Sequence, residues 1–501
     1  MKILRMIMPV TLAAMLISGC EKLKDFGDTN VSPNATTIPN TAALLTNVLA
    51  GVSARATQQN PGYFAQYFAE TQYPTVSLYS TPQFDFDGIY AGALYDCQNI
   101  INVNTDPSTA GIAAANGSNQ NQVAIAKILK AYYFWTISDA WGDIPYSEAL
   151  TISNNTPKYD RQEDVYKGII AELTAVVEQF DNGAPVKGDI VFGSSDNATT
   201  IGKWKKLANS IRLLMALRLS KKYPNGGEYA AQQFNLANSH PAGVIEKEDN
   251  SDNFAVVYPG GNFRSPWFAA YDARDDVGES LQFVNLLGSL ADSRQIAYGS
   301  STNGVPYGRD RASFMNAWFA ANSTTYAKVL APNLRQPNSR VDIIHAAAVL
   351  FAKAEARHRE WIVESTAEEL YKKAITASFQ QWGITGNAVL NTYLAGTEVV
   401  FSGDFSARLT KLARQRYIAL YPDGLQGWSE WRRTGFPALA PALDAVNTSK
   451  AIPRRFVYGT NDYSTNPAAV AAAAAAIPLP VPTPNGAIAG DTQDGRVWWD
   501  Q

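Results

Sequence analysis

Two aromatic-rich stretches carry the residues best suited to hold a small molecule. In 60–85 the candidates are Tyr73 and Tyr79 with Gln72 and Asp85 nearby; in 250–320 they are Trp267, Phe268 and Tyr271 with Asn262, Arg264 and Asp272. A flat ring offers a platform for the C–H face of a cyclic ligand, while amide, carboxylate and guanidinium groups beside it hydrogen-bond polar substituents, the usual make-up of a small-molecule site. Glycoside hydrolysis would instead need two carboxylates flanking a cleft. Glu70 and Glu279 sit among aromatics, but nothing in the sequence marks them as a pair. The motifs Asp85-x-Asp87 and Asp272-x-x-Asp275-Asp276 offer oxygen ligands without completing a calcium-loop pattern, so no metal is assigned. His240, His345 and His358 are too scattered for a histidine metal site. No nucleophile elbow, zinc-protease motif or phosphate-cradling glycine loop is present, and no cofactor is expected.

A different chemistry is expected at the start of the chain. Lys2 and Arg5 precede an uncharged, largely apolar stretch from Met6 to Ile17, which ends in Ser18-Gly19-Cys20. About a dozen apolar residues are too few to span a bilayer, which takes about 20. Residues 1–19 therefore read as a signal peptide. Small residues before Cys20 match a bacterial lipobox, in which that cysteine is acylated and becomes the mature N-terminus. Residues 20–40, poor in large apolar side chains, form a lipidated tether. Extended, such a tether reaches at most ~70 Å.

The net charge of −3 gives no electrostatic case for nucleic acid or anionic lipid. With Cys20 acylated, Cys97 is left without a partner for an intramolecular disulfide. Aromatic residues make up 11% of the chain, with eleven Trp and twenty-four Tyr, so aromatic contacts must serve core and surface alike.

The elements that must position these groups read as helices. Apolar stripes with a 3.6-residue period start at Ile125, at Val165, at Trp204 and at Ile343 (with Ala347, Leu350, Phe351 and Ala354). Asp164 and Thr200 are candidate caps. Further helices are expected near 41–57, 86–102, 365–381 and 405–420. Ala126, Ala131, Ala208, Ala216, Ala346, Ala347 and Ala354 would let helix axes approach closely, which favours a mainly α, tetratricopeptide-like solenoid of helix pairs over an ordinary bundle. Long loops, at 60–85 and 250–320, and an irregular C-terminal part complete it. Pro467 and the alanine run to Ala476 suggest a short helix stopped by Pro478, Pro480, Pro482 and Pro484. Residues 41–501 are expected to form one domain.

Six stretches in order resemble the SusD/RagB family of nutrient-binding outer-membrane lipoproteins. They are Ala126–Leu150, with its Gly-Asp-Ile-Pro turn, Arg161–Phe180, Ser339–Ala356, Gln415–Pro437, with Trp-x-x-x-Arg-Arg-x-Gly, and the closing Ile452-Pro453-Arg454-Arg455 and Val497-Trp498-Trp499-Asp500. Members commonly carry Tyr-Pro and then Glu before an Asn, where this chain has Tyr458-Gly459, Asp462 and Asn466. Trp428, Trp431, Arg432 and Arg433 suit a role in stitching the C-terminal part onto the helices. The resemblance implies a surface-facing, lipid-anchored, non-catalytic protein. It also implies an oligosaccharide or peptide nutrient as ligand and a SusC-type TonB-dependent transporter as partner, which the protein caps as a lid. The alternatives are a secreted glycan-degrading enzyme and a purely structural scaffold.

Overall fold

Small residues on apolar stripes set the architecture. All seven alanines expected at helix contacts are fully buried, and the helices carrying them pack in succession. In the computed structural model, residues 38–80, 83–151, 153–479, 486 and 490–501 are described. Cys20, the signal peptide, most of the tether and Pro480, Pro482 and Pro484 lie outside the described residues. Thr41–Gln501 cluster as one unit.

The principal helices are α1 (Thr41–Gly51), α2 (Tyr95–Thr105), α3 (Asn119–Trp141), α4 (Gln162–Gln179), α5 (Asn197–Arg218) and α6 (Tyr229–Asn238). They are followed by α7 (Leu281–Ser289), α8 (Ala346–His358), α9 (Ala367–Gln381), α10 (Phe405–Ala419), α11 (Gly424–Thr434) and α12 (Pro467–Ala475). From α1 to α6 each helix packs on the next; α5 then meets α8, which packs on α9 and α10, and α10 leads to α11. The fold is mainly α, a tetratricopeptide-like stack of helix pairs.

Three two-stranded antiparallel ribbons pin the connections. β1 (Phe68–Glu70) pairs with β5 (Val277–Glu279), β2 (Ile144–Pro145) with β3 (Tyr159–Asp160), and β4 (Phe254–Val256) with β6 (Val341–Ile344). Residues 250–320 are thus not one long loop. They run through β4, β5, α7 and several single-turn helices.

Helix ends depart from the expected caps in instructive ways. Ile343 belongs to β6, not to the helix after it: the β-branched Val341, Ile343 and Ile344 suit a strand. His345 then caps α8, its Nδ1 accepting the Ala348 N–H at 3.3 Å. Asp164 lies in the first turn of α4, where the carboxylate of Asp143 accepts the Gln162 N–H at 2.8 Å instead. Asp196, not Thr200, caps α5, accepting the Ala198 N–H at 3.1 Å. Gly142 stops α3 with φ of 94°, a backbone state that costs a residue with a Cβ.

The C-terminal part is stitched through α11. Trp428 donates its indole N–H to Pro453 O at 2.9 Å, and the Arg432 guanidinium lies 3.7 Å from the Trp428 ring centroid. Arg432 also donates to Arg454 O and Asp139 O. Arg433 forks onto Glu355 of α8 at 2.6 and 2.7 Å and onto Glu430 at 2.6 Å. Burial opposes ionisation of Glu355, but Arg433 and Arg359 outweigh it and hold the carboxyl well below its usual range. Where the family motif is altered, Asp462 accepts the Tyr159 hydroxyl at 2.7 Å, and Asn466 donates to Pro157 O at 2.7 Å.

Candidate functional site

The β1–β5 ribbon brings the two aromatic stretches together. Phe68 pairs with Glu279 and Glu70 with Val277. The Thr71 N–H then donates to Asp276 O at 3.0 Å. The chain leaving β1 and the chain entering β5 therefore share one end of the ribbon, with Tyr73 on the first and Phe268 and Tyr271 on the second.

Tyr73 is 51% exposed, and the guanidinium of Arg311 stands 4.5 Å from its ring centroid. The turn that carries it folds around Glu70, whose carboxylate accepts the Ser77 N–H at 2.8 Å and the Ser77 hydroxyl at 2.6 Å. Burial raises the Glu70 pKa. Across the ribbon end, Phe268 is half-buried under Arg264, 5.1 Å from its centroid, and Arg264 pairs with Asp272 at 2.9 Å. Tyr271 donates its hydroxyl proton to Val277 O at 3.1 Å and accepts the Val329 N–H at 2.7 Å. Arg335 and Lys328 stand 4.9 and 5.2 Å from its ring, and Lys328 pairs with Asp275 at 2.5 Å. Asn262 is exposed beside the turn closed by Phe263 N–H and Gly260 O.

Two candidates occupy different settings from those expected of surface platforms. Tyr79 is 1% exposed. Its oxygen accepts the Ala442 N–H at 2.9 Å and the Tyr307 hydroxyl at 3.3 Å, and burial pushes its pKa up to about 12. It is therefore not an exposed surface platform, although it lines a separate cavity of about 480 Å³ with Ser80, Gln83 and Gln493. Trp267 is 2% exposed and packs edge-on against Phe68, centroids 5.6 Å apart. Its free side lines a cavity. Gln72 is half-buried, and Asp85 is exposed beside Gly459 of the C-terminal part.

That cavity, of about 420 Å³, lies where β6, the end of α9 and the α10–α11 junction meet residues 330–340. Trp267, Trp382 and Tyr421 line it with Asn333, Asn338 and Gln381 and with the charged or titratable Arg340, Asp342, His345 and Asp423. Leu334 lines the cavity and its neighbour Arg335 covers Tyr271, so residues 330–335 lie between the cavity and the ribbon end. Burial lowers the His345 pKa to about 4 and raises that of Asp423 to about 7. Trp382, Arg311 and Arg335 were not singled out by sequence. The signal available for Trp382 was a large aromatic directly after a helix expected to end at 381; the two arginines gave none, because their rings are distant in sequence.

Glu70 and Glu279 lie on the same ribbon; Glu70 is held by Ser77, while Glu279 Oε1 is buried without a partner among the described residues. Glu279 is fully buried, accepts the Gln295 amide N–H at 2.9 Å, and has its pKa raised by burial to about 8. Neither lines the cavity under Trp267. Among the described residues no group of three or more His, Cys, Asp or Glu side chains could hold a metal ion, and no helix is long and apolar enough to cross a membrane.

A family model described as "Starch-binding associating with outer membrane", SusD-like, matches residues 33–459. Among solved structures, a SusD homologue from Bacteroides uniformis aligns with a TM-score of 0.75 at 22% identity, covering 92% of this chain and 99% of the other. A chitin-binding SusD homologue from Flavobacterium johnsoniae aligns with a TM-score of 0.74 at 22% identity, covering 92% and 98%. A SusD-like protein from Bacteroides thetaiotaomicron follows with a TM-score of 0.70 at 20% identity, covering 92% and 98%. No curated protein matches.

Proposed function

The chain belongs to the SusD-like family, and from that premise we propose that it is a nutrient-binding lipoprotein of the outer-membrane surface, held there through acylated Cys20. It captures an oligosaccharide and hands it to a SusC-type TonB-dependent transporter, on which it sits as a lid. Its own role is binding, without catalysis. The observation that carries the glycan reading is the ribbon end. There, partly open rings (Tyr73, Phe268, Tyr271) stand beside guanidinium and carboxylate groups, and a cavity opens behind them. Asn262 and Arg264 are the polar partners assigned to these rings, and Trp267 contributes from the cavity wall. Tyr79 supports the fold around them. The description of the family as starch-binding, and the chitin-binding neighbour, favour glycan over peptide.

The carboxylates an enzyme reading would use do not open on the cavity. Glu70 is held by Ser77, Glu279 is fully buried beside Gln295, and neither lines the cavity, which supports binding over hydrolysis. The decisive experiment is a glycan array probed with the full chain, paired with affinity recovery of the native lipoprotein from outer membranes. Binding to one glycan class and co-recovery of a large TonB-dependent barrel are expected. Turnover of a bound glycan, lost on Glu70→Gln or Glu279→Gln, would overturn the non-catalytic assignment. Recovery of the protein alone would overturn the lid assignment.

A further inference from the structure

The cavity under Trp267 differs from the ribbon end in one property: its charges are cancelled within its own walls. Arg340 directs two nitrogens to Asp342, at 2.6 and 3.1 Å, and the same carboxylate accepts from Asn253 at 2.9 Å. His345 is kept neutral at neutral pH by burial, with its Nδ1 committed to the α8 N-terminus. Asp423 shares its charge with a proton near neutrality and accepts the Gln426 N–H at 3.1 Å. An anionic ligand entering here would lose its hydration and find Arg340 already paired with Asp342.

What remains of the wall is neutral and two-sided. Trp267, Trp382 and Tyr421 supply ring surface, and Asn333, Asn338 and Gln381 supply amides. At the Gln381–Trp382 corner, Gln381 Oε1 and Trp382 Nε1 are buried and have no hydrogen-bond partner among the described residues. A buried acceptor and a buried donor without partners are costly, and both belong to residues that line the cavity, where a hydroxyl or amide of a ligand could complete them. The volume, about 420 Å³, lies in the range of small-molecule sites and is too small for a long chain.

We propose that this cavity is a discrete binding site for one or two uncharged sugar rings, separate from the platforms at the ribbon end, with the Gln381–Trp382 corner reading a hydroxyl or acetamide group. The choice of sugar as the neutral ring rests on the glycan-binding reading above; the charge balance and the idle corner do not.

Calorimetric titration of the full chain tests it. The neutral probes are glucose, maltose, N-acetylglucosamine and its β-1,4-linked dimer; the charged probes are glucuronate and glycylglycine. At least one neutral probe is expected to bind, and neither charged probe. Trp382→Ala, which empties the corner, and Asn338→Trp, which plugs the cavity from an exposed position, should each weaken that binding about tenfold or more. Tyr73→Ala should leave it unchanged. If Trp382→Ala fails to fold, the plug decides. Failure of all four neutral probes, equal binding of a charged one, or a plug without effect would overturn the proposal. If long glycans still bind on the array while no small sugar binds or competes, the cavity site falls and the glycan-binding reading stands. If no glycan binds at all, both fall.

Discussion

The α11 seam and the cavity wall are built from the same residue types, Trp, Arg and carboxylate, and do opposite things with them. In the seam, Arg432 stacks on Trp428 and caps two carbonyls, while Arg433 is shared between Glu355 and Glu430. In the wall, Arg340 is paired, but Trp382 and Gln381, which line a space of about 420 Å³, each keep a buried polar atom without a partner among the described residues. Most polar atoms of the seam find partners within the chain, Arg432 Nε being an exception, and that pairing fixes its shape; the unpartnered atoms of the wall belong to residues that line open space. Composition alone does not separate the two cases.

The sharpest way to break this contrast is Arg433→Met. It leaves Glu355 and Glu430 buried side by side without their shared cation, and removing one partner of a buried pair costs ~3–5 kcal/mol. Urea unfolding should show that loss. A change below ~1 kcal/mol would mean that the seam does not hold the C-terminal part.

Glu279 sharpens the comparison from the other side, as a buried carboxyl facing an amide in place of a cation. Its folded pKa, about 8, lies above its ordinary value of 4.5 because burial penalises the charge. Its contribution to stability is therefore complete below the unfolded value and is lost as pH rises toward 8. Glu279→Gln should flatten that fall and stabilise the protein at pH 8 by on the order of 2–4 kcal/mol. Unfolding curves at pH 5 and pH 8 that shift equally in wild type and variant would show that Glu279 ionises normally.

The same contrast explains what was legible in the sequence. Helix stripes were readable because burial imposes a period, and the stitching role of the Trp-x-x-x-Arg-Arg segment agrees with its contacts. Caps were less readable: Asp143 caps α4 from 19 residues before its partner Gln162, a spacing no local rule contains. Ile343 was assigned to a helix because an apolar residue fits either period, and pairing with β4 decided for strand. Among site candidates, aromatic type marked the right stretches but not exposure. Tyr73 and Tyr79 look equivalent in sequence, yet a hydrogen bond from the Ala442 N–H, 363 positions away, helps bury the second. Trp267 illustrates the cost of that ambiguity. Its replacement by Ala removes ring packing on Phe68, where such losses run to ~3–5 kcal/mol, so lost binding would be confounded with lost stability.

Cleaner probes lie at the ribbon end. Tyr73→Ala should weaken binding of an array-identified glycan by roughly 1–3 kcal/mol if the ring is an anchor. Because the side chain is half exposed, stability should move by less than ~0.5 kcal/mol. Unchanged affinity with unchanged stability would remove Tyr73 from the site and leave the family assignment intact.

The smallest effect expected is at Arg311, and it separates two roles for that side chain. Its guanidinium stands 4.5 Å from the Tyr73 centroid and, among the described residues, makes one long side-chain hydrogen bond, to Asn316 at 3.4 Å. If it only steadies the ring, Arg311→Gln should cost ~0.5–1 kcal/mol of binding, the size of an exposed cation–π contact, and nothing further once Tyr73 is already Ala. If it hydrogen-bonds the ligand itself, the loss should persist in the Tyr73→Ala background. A double-mutant cycle measured by calorimetry distinguishes the two, since coupling equal to the single-mutant effect assigns Arg311 to the ring and zero coupling assigns it to the ligand.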